Sequence, residues 1–179
     1  MTLLEIKKKV LQLIEEISDD TNLTNDPDIK AKLNSVINQV QFELARMKKI
    51  PAYKEVEVKE REVFDMNTLD NFYQLRLLRF IGEYDMIENL VTFNEEGTAG
   101  FYYYKYPEAI TDETPDTYEF ELSQDALEIL PYGVASDLLK SDVSTNYGAI
   151  YSQRYETMLQ RLDPRYSMGS ITFEGGVDI

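Results

Sequence analysis

The sequence predicts an α+β fold: a bundle of about four helices, a β-rich insertion of about five strands between the second and third helices, and an extended C-terminal tail. Three observations carry this. Apolar residues recur at helical spacing over residues 3–17 and 29–47 and again over 126–162. Between these blocks, from Ala52 onward, the period falls to about two. After Pro164 there is no helical period at all. The expected organisation is one discontinuous helical domain (1–51 and 123–163), a β-rich insertion (52–122) and a tail (164–179). A chain of 179 residues with 43% hydrophobic content has enough apolar material for one ordinary core.

The first helix starts at Thr2, with Glu5 three positions later completing a capping-box pattern. Its stripe is Leu3, Ile6, Val10, Leu13, Ile14 and Ile17, and the helix is expected to stop near Ser18–Asp20. Lys7, Lys8 and Lys9 lie largely off the stripe and read as a solvated face. Residues 19–26 are turn chemistry. Asp26–Pro27 then opens a second helix, with Asp as N-cap and Pro at the first helical position. Its stripe runs Ile29, Leu33, Val36, Ile37, Val40, Leu44, Met47, and Pro51 closes it. At about 35 Å it is expected to form the spine of the fold and to pack on the third and fourth helices.

In the insertion, residues 53–64 alternate charge with Val56 and Val58. Residues 72–81 are a second strand, with Tyr73, Leu75 and Leu77 on one face. Residues 89–93 and 100–106 read as a hairpin with Gly97 in its turn, and 117–122 as a fifth, charged strand. The aromatic run Phe101–Tyr104 with Tyr106 has only Lys105 beside it and an acidic loop after it, so packing across strands explains it better than base stacking.

Ser123 caps the third helix. Pro131 falls inside its apolar pattern, where it removes a backbone hydrogen bond and predicts a kink, and Gly133 adds to the weakness. Asp142 or Ser144 caps a fourth helix ending at Leu162, with the stripe Tyr147, Ile150, Tyr151, Met158, Leu162 and Tyr155 nearby. In the tail, Ile171, Thr172 and Phe173 have strand propensity, and Gly175–Gly176 can turn the chain. Three residues cannot form a stable strand alone, so the tail is either disordered or donated to an edge strand on a neighbouring subunit or ring.

The chain has no Cys and no His. That removes disulfides, thiolate metal sites, the Ser–His–Asp triad and the usual general base near neutral pH. Neither GxGxxG nor GxxxxGK[ST] occurs. No catalytic residue, cofactor or metal ligand is therefore assigned, and no enzyme is expected. Carboxylate pairs such as Glu55/Glu57 and Glu60/Glu62 read as solubility charges. The net charge of −15 falls entirely after residue 51, and nine acidic residues but no Lys or Arg lie between Tyr106 and Leu139. Such a chain is poorly suited to gripping DNA or an anionic membrane. No apolar run is long enough to cross a bilayer.

Residues 122–160 are the most specific part. They hold Asp125–Ala126 at the helix start, the Leu130–Pro131–Tyr132–Gly133–Val134–Ala135 segment, Asp137–Leu138–Leu139, and a last helix with Tyr147, Tyr151 and Tyr155. With Leu33–Arg46 followed by a β segment, this pattern resembles the head-to-tail connector proteins of tailed bacteriophages. The β insertion is larger than in the smallest, all-helical members. The resemblance implies a structural virion protein of the neck, made in the bacterial host cytoplasm and acting as an adaptor ring, commonly twelve-fold. Its partners are then other copies of itself, the portal protein, and the next neck or tail protein, with DNA passing through the channel without tight binding. Two other readings stay open: a different neck component (head-completion stopper or tail terminator), and a small acidic interaction module. The latter includes a nucleic-acid mimic using the carboxylates of residues 108–128.

Overall fold

The computed structural model describes residues 1–16, 23–24, 26–140 and 146–162. The fold is α+β: four helices and two small antiparallel sheets.

Helix α1 spans Leu3–Leu13. Thr2 Oγ1 accepts from the Glu5 N–H at 3.3 Å, and Glu5 Oε2 accepts from the Thr2 N–H at 2.9 Å, closing the capping box. The helix stops earlier than its apolar pattern suggests. Glu15 takes a left-handed conformation (φ 59°), and its neighbour Glu16 donates its N–H back to the Leu11 carbonyl at 2.9 Å. This closure satisfies the last carbonyls and ends the helix before residue 17. The expected stop at Ser18–Asp20 lies outside the described residues.

Helix α2 spans Pro27–Met47, and Asp26 Oδ1 accepts from the N–H groups of Asp28 and Ile29. Helix α3 spans Gln124–Leu138, capped by Ser123 and carrying Pro131 inside it. Helix α4 spans Tyr147–Leu162; its proposed caps, Asp142 and Ser144, lie outside the described residues.

The longest helix is not the spine. The main helix–helix contacts are α1 with α3, α2 with α3, and α3 with α4. Eight residues of α3 are buried, from Ala126 through Ala135. A helix that is apolar on nearly every side belongs in the centre, whereas the one-sided stripe of α2 suits an outer position. On α4 the expected stripe is rotated: Tyr147 and Ile150 are exposed, and the inward face is Tyr151, Tyr155, Met158 and Leu162.

The insertion holds six strands: β1 (Ile50–Val58), β2 (Val63–Asp65), β3 (Phe72–Arg79), β4 (Tyr84–Ile87), β5 (Leu90–Phe93) and β6 (Gly97–Lys105). A single 3-10 turn, Met66–Thr68, follows β2. One sheet has the order β1-β6-β3 and the other β2-β5-β4. Val58, Leu78, Ala99, Phe101 and Tyr103 of the first meet Val91 and Phe93 of the second in one core, with Met66 and Leu69 between. The outer faces of the two sheets therefore point away from each other.

Three strand expectations are corrected. Residues 89–93 and 100–106 do not form a hairpin. The two-residue turn Glu88–Asn89, with Glu88 at φ 52°, joins β4 to β5, while β6 enters the other sheet with Gly97 opposite Val58. Leu77 does not share the inner face of β3. Register shifts at Phe72/Gln74 and Leu75/Leu77 turn Leu78 inward and leave Leu77 46% exposed. Residues 117–122 are not a strand of the insertion. They run past the start of α1, where Leu3 N–H donates to the Tyr118 carbonyl at 2.9 Å, with a lone bridge between Thr2 and Glu119. Phe120 and Leu122 are buried among the helices.

The chain returning from β6 is tied to α2 by a polar clamp. Asn38 Oδ1 accepts from the Ile110 N–H and Asn38 Nδ2 donates to the Ile110 carbonyl, both at 2.7 Å. Gln41, fully buried, donates to Asn38 Oδ1 at 2.8 Å and to the Glu108 carbonyl at 3.0 Å. The irregular segment thus satisfies its buried backbone without joining a sheet.

Candidate functional site

Two of the residues singled out in the sequence, Pro131 and Gly133, are buried inside the helical body. Gly133 is a contact point. A Cβ there would lie 2.7 Å from a ring carbon of Tyr155 on α4 and 2.7 Å from Val40 Cγ1 on α2. Its lack of a side chain is what lets α2 and α4 close on α3. Tyr155 then donates its hydroxyl to Glu43 of α2 at 2.8 Å, and burial with that carboxylate pushes its pKa well above the usual tyrosine range. Ile171, Thr172, Phe173, Gly175 and Gly176 lie outside the described residues.

The exposed apolar surface is unevenly placed. Among the described residues, ten large hydrophobic side chains stand exposed, and eight of them lie on the insertion: Tyr53, Val63, Leu77, Ile81, Tyr84, Met86, Ile87 and Leu90. Clustered apolar exposure of this kind marks interaction surfaces.

These residues divide between the two outer faces. On β1-β6-β3, Tyr53 pairs across the sheet with Tyr102, ring centroids 4.5 Å apart, and Leu77 lies on the other side of Tyr102. Arg79 sits 4.9 Å above the Tyr102 ring and Lys49 4.9 Å above Tyr104. Gly100 makes room for Tyr53, whose hydroxyl would lie 3.2 Å from a Cβ at that position. The Tyr53 hydroxyl donates to Glu55; that hydrogen bond, with some desolvation, raises its pKa to about 12. The face is aromatic, with cations over its rings and Glu55 beside Tyr53. Arg46 extends it, donating from Nε to Tyr106 Oη at 3.3 Å.

On β2-β5-β4, the outward face carries Val63, Ile87 and Leu90, which are 58%, 75% and 45% exposed, together with Asp65, Asp85 and Thr92. Every residue from Ile81 to Leu90 is exposed. Sequence reading missed this hairpin, although Asp85–Val91 carries a usable signal: two short apolar runs separated by a two-residue polar turn.

The aromatic run of β6 splits between the two sides of its sheet. Phe101 and Tyr103 are buried in the insertion core, while Tyr102 and Tyr104 face outward. The carboxylates of residues 108–128 are partly engaged within the chain. Asp116 pairs with Lys7 at 3.4 Å, Asp125 with Lys48 at 3.9 Å and Glu121 with Lys105, and Asp112 accepts from Asn34 at 2.9 Å. These contacts tie part of the acidic segment to α1, α2 and β6.

Among the described residues, no three His, Cys, Asp or Glu side chains gather in a metal-binding arrangement, and no helix is long and apolar enough to cross a membrane. No protein-family model matches the chain, and no curated protein sequence matches it significantly.

Proposed function

We propose that this chain is a structural component of a tailed-phage neck: an adaptor ring that joins the portal of the head to the tail and forms part of the DNA channel. One observation carries the reading. The insertion has two different exposed faces on opposite sides of one small core: an aromatic one around Tyr53, Tyr102 and Leu77, and a mixed one where Val63, Ile87 and Leu90 stand among Asp65, Asp85 and Thr92. Two unlike faces on opposite sides fit a heterologous contact, in which one copy's first face meets the next copy's second. Such contacts close into a ring when the rotation permits. A two-fold dimer would instead reuse a single face.

Charge supports the same reading. A chain at −15 repels phosphates, so a channel built from it lets DNA pass without holding it. The helix pattern of residues 122–160 resembles connector proteins, and the ring is twelve-fold on that resemblance alone. The portal would sit on one side of the ring and the next neck or tail protein on the other.

The test is removal of the gene from the phage or prophage that carries it. DNA-filled heads and free, complete tails that fail to join are the expected products. Normal tailed particles would overturn the proposal. Heads that lose their DNA after packaging would move the chain to the stopper position.

A further inference from the structure

The four outer sheet edges of the insertion are not alike. Natural proteins blunt exposed edges with charges, bulges or short length, because a free edge recruits another strand. The edge of β1 carries Lys54, Glu55 and Glu57. That of β3 has two register irregularities and carries Arg76 and Arg79. Strand β2 is only three residues long. β4 is only four residues long and carries a single charge, Asp85. Its four residues pair with β5 in continuous register, and three of them, Tyr84, Met86 and Ile87, are apolar. Its other side has no strand partner among the described residues.

The core is also open at this edge. Tyr84 and Met86 lie opposite Phe93 and Val91, so they share the inward face with two residues that are 0% exposed. Yet Tyr84 is 39% and Met86 51% exposed, since no described strand lies beyond β4. One more strand, with apolar side chains at positions i and i+2, would cover both.

We propose that the free edge of β4 receives the segment Ile171–Thr172–Phe173 from a second copy of this chain. Ile171 and Phe173 are two apart and fall on one face of an added strand, over Tyr84 and Met86, while Thr172 points outward opposite Asp85. Residues 163–170 separate the end of α4 from this segment and can reach up to about 28 Å when extended. The donor being a second copy rests on the ring reading above.

The chain contains no cysteine, so an introduced pair gives the only disulfide possible. Cross-strand neighbours lie close enough to form one. Full-length chains carrying Met86→Cys are mixed with differently tagged full-length chains carrying Ile171→Cys, Thr172→Cys or Phe173→Cys, then oxidised, and mixed-tag dimers are counted. Whichever of Ile171→Cys and Phe173→Cys lies opposite Met86 should give several-fold more dimer than Thr172→Cys, and the preference should invert when the partner is Asp85→Cys. Equal yields at all three positions, or no mixed-tag dimer, would overturn the proposal. So would cross-linking found only within one chain when both cysteines are placed on it. The mass of the untreated chain, measured in parallel, separates the two failures. Oligomers without the alternating pattern refute the β4 docking alone, and a monomer at every concentration refutes the ring.

Discussion

Replacing Gly133 with alanine should destabilise the protein, and the sign of the effect is the informative part. Alanine at an exposed helix position gains about 1 kcal/mol over glycine, through helix propensity and the lower entropy of its unfolded chain. At Gly133 the new Cβ would stand 2.7 Å from both Val40 Cγ1 and the Tyr155 ring. These belong to α2 and α4, on two sides of the same residue, so neither helix can yield without moving the other. Overpacking of this kind costs about 1–3 kcal/mol. Because an insertion this tight falls at the upper end of that range, the net loss should be about 1–2 kcal/mol. In a chain of this size that lowers Tm by about 2–8 °C. Thermal and urea unfolding would measure it. In a double-mutant cycle with Val40→Ala, which removes one of the two clashing groups, part of the loss should disappear. A Gly133→Ala protein more stable than the parent would refute the close approach of the three helices.

Asn38→Ala should cost about 2–4 kcal/mol in urea unfolding, because it strands the N–H and carbonyl of buried Ile110. Glu15→Gly should stabilise by about 0.5–1 kcal/mol, since glycine takes the left-handed φ of 59° without steric cost. Leu44→Ala, at 0% exposure, should cost about 2–5 kcal/mol, while Leu138→Ala, half-buried, should cost clearly less. Stability should fall as pH rises above about 10, where unfolded tyrosines lose their protons while Tyr155, its pKa raised by burial, keeps its own. Tyr155→Phe should flatten that alkaline slope in pH-dependent unfolding. Duplex DNA should not bind detectably at physiological salt in fluorescence anisotropy, and submicromolar binding with a steep salt slope would refute the conduit reading.

The helical body was legible in the sequence where local chemistry decides. Thr2 with Glu5, Asp26–Pro27 and Ser123 each start a helix where the chain says one should start. Its centre was harder to read. Length pointed to α2, but the all-round apolar pattern of 126–135 places α3 inside. The early end of α1 was hidden because Glu15 holds a conformation that glycine usually marks. In the insertion, composition located the strands but not their partners. Leu90–Phe93 and Gly97–Lys105 are neighbours in sequence yet enter different sheets, and no single-strand pattern encodes that choice. Tyr118, Phe120 and Leu122 alternate like a strand but serve the helical core, since period-two burial arises wherever an extended segment lies on an apolar surface. The hairpin at Ile81–Leu90 went unread because its apolar pairs, Met86–Ile87 and Leu90–Val91, are short and sit among Glu83, Asp85 and Glu88.

The most direct test of the account is the mass of the full-length chain in solution, by native mass spectrometry and light scattering across a wide concentration range. A head-to-tail contact that closes predicts one discrete assembly, a whole multiple of 20.8 kDa, that grows no further as concentration rises. It should dissociate when either face is broken, by Leu77→Lys on one side or Ile87→Lys on the other. A species of 20.8 kDa at every concentration, or an open ladder of masses without a limit, would contradict it.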